Sequence, residues 1–270
     1  MSTPARSEAN AIRVQDAFTR QAGVFDALDR EPLIQWVRDR VRANTLAHVQ
    51  PGARMLEINA GTGIDSLWFA QHGLDVHATD AAPGMVRELE RKRDAHPRCE
   101  LRVTRCSFLE LDDLNDEPAD VVFSDFGGIN CTNDLPRLMR GIRGKLRLGG
   151  VCALVIMPRT SPWELIDLLR GNFRHALRRY HTEGSPAWIE GVRFQCYYHD
   201  VSHVLKAAEG FTMVDRMGLS FFVPPPHLAP FASRHPRFVA LMKRWEAFTC
   251  RWPFIRSRGD HYMLVLRRIS

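Results

Sequence analysis

The sequence predicts a doubly wound α/β fold, a parallel sheet with helices on both faces. The chain has 270 residues, 45% of them hydrophobic and 25% charged, which suits a globular protein with a sizeable buried core. Between residues 53 and 157, short apolar runs alternate with amphipathic stretches. Strands separated by helical patterns imply right-handed crossovers and a sheet covered on both sides. The longest apolar runs, such as VCALVIM at 151–157, fall far short of the roughly 20 residues of a membrane-spanning helix.

The elements follow in order. Residues 11–28 and 31–48 have helical periodicity, with Leu33, Val37, Val41 and Leu46 recurring in the second stretch and arginines between them. Pro51-Gly52 then breaks the chain. ARMLEI (53–58) predicts a strand and DSLWFAQH (65–72) a helix. DVHATD (75–80), LRVTRC (101–106), ADVVFSD (119–125) and VCALVIM (151–157) predict further strands. PGMVRELERKRD (83–94) and LPRLMRGIRGKL (135–146) predict the helices between them. In the less regular second half, 163–179 predicts a helix, 191–198 a strand, 202–210 a helix ending at Gly210, and 211–219 a strand. After the prolines at 224–226, an Arg- and aromatic-rich segment runs to about 258, and YMLVLRR (262–268) closes the chain as a last strand. This divides the chain into an N-terminal helical cover (1–50), a ligand-binding core (51–160) and a completion of the sheet with cap insertions (161–270), within one domain overall.

Lys+Arg 37 against Asp+Glu 31 leaves a net charge of +6. That mild excess permits anionic ligands or a lipid surface without selecting either. The six cysteines form no C-x-x-C pair, and no ligand cluster for a metal is visible. The N-terminal MSTPARSEAN lacks the apolar core of a secretory signal, so a cytoplasmic protein with reduced thiols is expected. RFVALMKRWEAFTCRWPFIRSR (237–258) is read as a helix covering the sheet edge, with peripheral contact to a membrane as the alternative.

The chemistry is concentrated in MLEINAGTGIDSLWFA and the following LDVHATDAAPGM. A strand ends at Ile58, a turn of small residues (Asn59, Ala60, Gly61, Thr62, Gly63) follows, and a helix begins near Asp65. Small residues there let backbone approach a ligand at the C-terminal edge of the sheet. Asp80 closes the next strand, where a carboxylate can accept both hydroxyls of an adenosine ribose. A dinucleotide site wants a third glycine, G-x-G-x-x-G, and here that place is Ser66. Asp65 would also face a pyrophosphate with a like charge. A cationic sulfonium without phosphates meets no such conflict, which favours S-adenosylmethionine over NAD.

In these residues the chain resembles the class I S-adenosylmethionine-dependent methyltransferases. LEINAGTG is similar to their first motif, HATDAAPGM to the second, ADVVFSDFGG to the motif of the fourth strand, and LRLGGVCALVIM to the turn and fifth strand. FTMVDRMGL and YMLVLRR look like the sixth strand and the antiparallel seventh. The resemblance therefore implies a Rossmann-like seven-stranded sheet with an antiparallel last strand. It departs from the family at Asn59, which stands for the first motif glycine, at Cys106-Ser107-Phe108, which replaces an acidic residue near the adenine, and at Leu148, which replaces a proline.

Carried over residue by residue, the resemblance implies S-adenosylmethionine as cofactor and S-adenosylhomocysteine as product. It sets Glu57 and the Asn59–Gly63 turn at the methionine end, and Asp80 and Ala81 at the ribose. Met85, Ser107 and Phe108 would lie at the adenine, and Asp125 and Phe126 beside the methyl group. Phe18 and Phe25, on a segment like the family's covering helix, would close over the site.

A base for an oxygen acceptor is expected from the variable second half, where Tyr197, Tyr198, His199 and His203 cluster. Trp163, Trp188, Phe221, Phe222 and the Pro224–Pro226 turn suggest an apolar, aromatic-rich cap, and Trp163 and Tyr197, with Phe18 and Phe25, are expected to contact the acceptor. A small-molecule acceptor is expected and a nucleic acid is not, since the chain reads SDFGG where base methylation would want an N-P-P-Y-like tetrapeptide. The alternatives are an RNA or protein methyltransferase and a non-catalytic protein on the same fold.

Overall fold

Neighbouring residues of each central strand enter different cores, because successive side chains of a strand point to opposite faces. Met55, Val121, Phe123, Ala153 and Val155 pack on one side of the sheet, and Leu56, Val122, Leu154 and Ile156 on the other. All of them are at most 2% exposed, and each of the larger ones stabilises the fold by about 1.5–3 kcal/mol. In the computed structural model, which describes residues 4–169 and 171–270, these residues lie on β1 (Arg54–Glu57), β4 (Ala119–Ser124) and β5 (Leu146–Ile156).

With β2 (Asp75–Asp80) and β3 (Leu101–Arg105) they make the parallel part of the sheet. The last strand, β9 (His261–Arg268), runs antiparallel between β5 and β8 (Phe211–Leu219). The order is β3-β2-β1-β4-β5-β9-β8, the seven-stranded sheet with antiparallel last strand that the sequence implies.

Six helices flank this sheet or lie over its end: α1 (Pro4–Asp29), α2 (Pro32–Leu46), α3 (Ile64–Gln71), α4 (Pro83–Ala95), α5 (Leu135–Lys145) and α8 (Val201–Ala207). Glu31 starts α2 by accepting the otherwise unpaired amides of Leu33 (2.7 Å) and Ile34 (3.1 Å). The long α1 reaches two parts of the molecule. It lies so close to α4 that a Cβ on Gly84 would stand 2.4 Å from the Thr19 carbonyl oxygen. Its buried Asn10 donates to the carbonyls of Cys131 and Gln195 and accepts from the Gln195 amide at 2.6 Å.

The second half departs from expectation in four places. The predicted helix 163–179 is interrupted: α6 (Pro162–Leu169) and α7 (Phe173–Ala176) are separated at Gly171, whose φ of +76° leaves the helical region. The strand expected at 191–198 belongs to a hairpin, β6 (Ser185–Ile189) and β7 (Val192–Cys196). Its two-residue turn has positive φ at both Glu190 (47°) and Gly191 (76°), the conformation that matches strand twist. The helix expected to reach Gly210 ends at Ala207. The 237–258 segment is preceded by α9 (Ala229–Arg234) and contains α10 (Pro236–Thr249), which covers the protein along one side only.

Candidate active site

The strand order places the site. β1 and β4 are neighbours, but the chain leaves β1 towards β2 and β4 towards β5, so their outgoing loops diverge and open a crevice. The loop after β1 passes through left-handed conformations at Asn59 (φ 52°), Gly61 (58°) and Gly63 (80°). The loop after β4 does so at Phe126 (44°) and Gly127 (70°). A side chain on Gly63 would overlap Leu89, since its Cβ would fall 2.0 Å from Cδ1. The two loops are joined by Asn59: its side-chain oxygen accepts from Ser124 Oγ at 2.7 Å, and its amide lies where a Cβ on Gly128 would be, at 2.2 Å. Asn59 thus fills the first motif-glycine position as a left-handed residue that also ties β1 to β4.

Helix α1 roofs this crevice and encloses a cavity of about 310 Å³. A polar knot holds the roof down, with Thr62 Oγ1 donating to Asp26 at 2.5 Å and Lys92 Nζ pairing with the same carboxylate at 2.7 Å.

At one end of the cavity stands Asp80. Its Oδ2 accepts the Gly61 amide at 2.9 Å and its Oδ1 the Ala82 amide at 2.8 Å. A carboxylate has about four lone-pair directions, so one on each oxygen is left for a ligand. Burial raises its pKa, and the backbone donors only partly oppose the rise. Ala81, Met85 and Phe108 line the same end.

At the other end an ion cluster surrounds Arg38 of α2, which is buried in ion pairs with Asp29, Asp65 and Asp125. Burial pulls its pKa down, but Asp65, Asp125 and Asp29 together outweigh that and raise it, so the guanidinium stays charged. Arg42, one turn on, pairs with Asp65 at 2.7 Å. Asp125 and Glu57 have pKa values pushed well above the carboxylate range, first by burial and then by the charge of Asp65. The Arg38 guanidinium also stacks 4.6 Å from the centre of the Phe126 ring.

Of the residues expected at the cofactor, Asn59, Gly61, Asp80, Ala81, Met85, Phe108, Asp125 and Phe126 line the cavity, as do Phe18 and Phe25 of α1. Glu57, Ala60, Thr62, Gly63 and Ser107 are not among its lining residues. Glu57 accepts from Ser66 Oγ at 2.5 Å, and Ser107 caps its own turn through the Leu109 amide at 3.2 Å. The expected base and cap residues go elsewhere. Tyr197, Tyr198, His199 and His203 line a second cavity of about 400 Å³ with Arg159, His181 and Lys206. His199 is a packing residue there, its Nε2 bonded to the Thr132 carbonyl (2.9 Å) and its pKa pushed down to about 4 by burial. Trp163 points its indole N–H at the Ser220 carbonyl (3.0 Å) and lines neither cavity.

Sequence reasoning missed Arg38, Asp29, Ile34, Cys131 and Gly128. A signal existed for the first: Arg38 and Arg42 stand one turn apart beside Val37 and Val41, so their face of α2 had to be buried and its charges paired. Asp65 also differs from expectation. It is held by two arginines and presents no free charge, so the case against a pyrophosphate rests on the missing third glycine, where Ser66 is fully buried against Glu57.

Residues 55–150 match the family model described as a methyltransferase domain. A stretch of 165 residues is 30% identical to a malonyl-[acyl-carrier protein] O-methyltransferase of Serratia marcescens, covering 61% of this chain and 60% of that relative's length. Among solved structures, the Burkholderia thailandensis 1,6-didemethyltoxoflavin-N1-methyltransferase, with bound 1,6-didemethyltoxoflavin and S-adenosylhomocysteine, superposes with a TM-score of 0.60. It is 16% identical, and the match covers 100% of this chain and 92% of that one. The CcbJ methyltransferase of Streptomyces caelestis gives 0.59 at 17% identity, covering 93% and 96%. Sheet order, the loop after β1 and Asp80 agree with that match: residues 55–150 form a methyltransferase-type domain, and the chain has the Rossmann-like fold of these solved methyltransferase structures.

Proposed function

We propose that the protein transfers a methyl group from S-adenosylmethionine to an oxygen or nitrogen of a small-molecule acceptor with an apolar body. The observation that carries this is the make-up of the roofed cavity. Asp80 keeps a free lone-pair direction on each oxygen at one end, and at the other Arg38 lies between Asp29 and Asp125, which suits a ligand with ribose hydroxyls at one end and an amino-acid group at the other. Arg38 Nε is buried without a hydrogen-bond partner, a donor left over for a ligand carboxylate. Val14, Phe18, Leu28, Ile34 and Phe126 supply an apolar wall for the acceptor.

The cofactor supplies an activated methyl group whose transfer is an in-line displacement. The residues of this chain bind and align the reactants, and proximity alone can account for much of such a rate. Asp80 would hold the ribose hydroxyls. α1 excludes water by closing over the loops. Asp125 faces the cavity and is the carboxylate placed to take a proton from an acceptor amine or hydroxyl. The Tyr198, His199 and His203 cluster lines the other cavity and is given no such role.

Incubation of the purified protein with methyl-labelled S-adenosylmethionine and a cell lysate tests the proposal. Label is expected in the solvent-extractable fraction. Label in protein, including an acyl-carrier protein, or in RNA would overturn the acceptor class. Calorimetric binding of S-adenosylhomocysteine with no label in any fraction would favour a non-catalytic protein on this fold.

A further inference from the structure

The 229–258 segment has one face that the fold does not use. Helix α10 is held from within: the buried Glu246 carboxylate accepts the amides of Ser220 (2.5 Å), Phe222 (3.0 Å) and Val223 (2.9 Å). Val239, Thr249 and Cys250 are buried beside it. Phe238, Leu241, Trp245 and Phe248 recur at helical spacing on the opposite exposed side, each between 47% and 72% exposed. Trp252 and Phe254 continue that apolar surface beyond the helix at 49% and 64% exposed. Large aromatic residues standing in water along one ordered stripe mark a surface that meets a partner.

Charge identifies the partner. The chain carries an excess of six positive charges. Residues 229–258 hold seven cations (Arg234, Arg237, Lys243, Arg244, Arg251, Arg256, Arg258) and a single carboxylate, the buried Glu246; Arg251 is paired with Asp215 and Lys243 lies over the Trp36 ring, which leaves five arginines for a partner. Arg237 and Arg244 stand one turn to either side of Leu241, bordering the stripe, and neither makes an ion pair among the described residues. Half-exposed Trp and Phe with Lys and Arg, and no exposed carboxylate, is the composition of a helix lying in a lipid interface. No described helix is long and apolar enough to cross a membrane, so the contact is one of lying on the surface.

We propose that α10 and the 250–258 turn dock the protein on an anionic lipid surface, with Phe238, Leu241, Trp245 and Phe248 entering the headgroup boundary and the flanking arginines facing lipid phosphates. The inference stands on the exposed face and its charge, independently of the proposed reaction.

Co-sedimentation of the full chain with vesicles tests it. Binding is expected to vesicles of equal phosphatidylglycerol and phosphatidylcholine, to weaken as salt rises, and to be slight on phosphatidylcholine alone. The double variants Trp245→Ser/Phe248→Ser and Arg237→Gln/Arg244→Gln should each lower partitioning by at least about tenfold. Unchanged thermal melting and S-adenosylhomocysteine binding would show that both variants remain folded. Failure of the native protein to bind anionic vesicles, or equal binding by both variants, overturns the proposal. So does a dimer in light scattering that the aromatic variant abolishes while vesicle binding persists, because the face then belongs to a second copy.

Discussion

Two cavities of similar size lie on either side of residues 125–136, and their chemistries are opposite. The roofed cavity, about 310 Å³, takes its polar groups from the ends of β2 and β4 and from α2, and three of its four charged residues are carboxylates. The second, about 400 Å³, lies at the end of β7 against α8 and is lined by Arg159, Lys206 and three histidines, with no carboxylate among its lining residues. Volume therefore says little about which of them binds the cofactor. The first lies where parallel strands end and their loops diverge, which concentrates left-handed glycines, free amides and strand-terminal acids in one place. The second is a gap between a hairpin and a helix, and its histidines are drawn partly into packing.

The comparison breaks first at Arg38. Arg38→Met removes the cation shared by Asp29, Asp65 and Asp125 and should cost about 3–5 kcal/mol of stability by leaving buried carboxylates unpaired. Denaturant titration measures this, and a loss below about 1 kcal/mol would mean that the cluster has relaxed or protonated.

A second difference concerns acid. The His199 imidazole is pushed down to about 4 by burial, against about 6.5 in an unfolded chain. Below pH 6.5 the unfolded chain takes up a proton that the folded protein refuses, so this contribution to stability is complete above pH 6.5 and falls towards pH 4. The loss is roughly 3 kcal/mol. Urea titrations across that range should show it, and His199→Gln should flatten the profile by the same amount. A native-like slope in the variant would remove His199 as its cause.

The smallest effect separates the cavities most cleanly. Asp80→Ala should weaken S-adenosylhomocysteine binding by well over tenfold, about 1.4 kcal/mol or more. His203→Ala, in the other cavity, should leave that affinity within about twofold. Calorimetry reads both, and equal losses would merge the two cavities into one functional unit.

The parallel half of the sheet was legible because its signals are local. Each strand is a short apolar run, each helix has its own periodicity, and the Asn59–Gly63 turn and Asp80 announce a site through residues whose conformational or charge properties are needed there. The second half was less legible for the same reason. The interrupted helix at Gly171 and the missed strand β6 depend on how the cap packs, and a single glycine in a helical pattern does not reveal whether the chain will turn. Tyr198, His199 and His203 are close in sequence to strand and helix ends and look equipped for proton transfer. Their side chains line the second cavity, where the Tyr197 amide donates to the Asn130 carbonyl of the loop after β4.

The sequence by itself determined the fold class, the left-handed loop after β1 and the acid at the end of β2. Strand periodicity and left-handed turns each constrain residues that are neighbours in the chain. Only the tertiary structure decided that α1 roofs the crevice, that Arg38 neutralises acids drawn from three separate segments, and that α10 turns its aromatic residues outward. Those outcomes depend on which elements meet across the fold, and burial and ion pairing between distant segments leave little trace in local sequence.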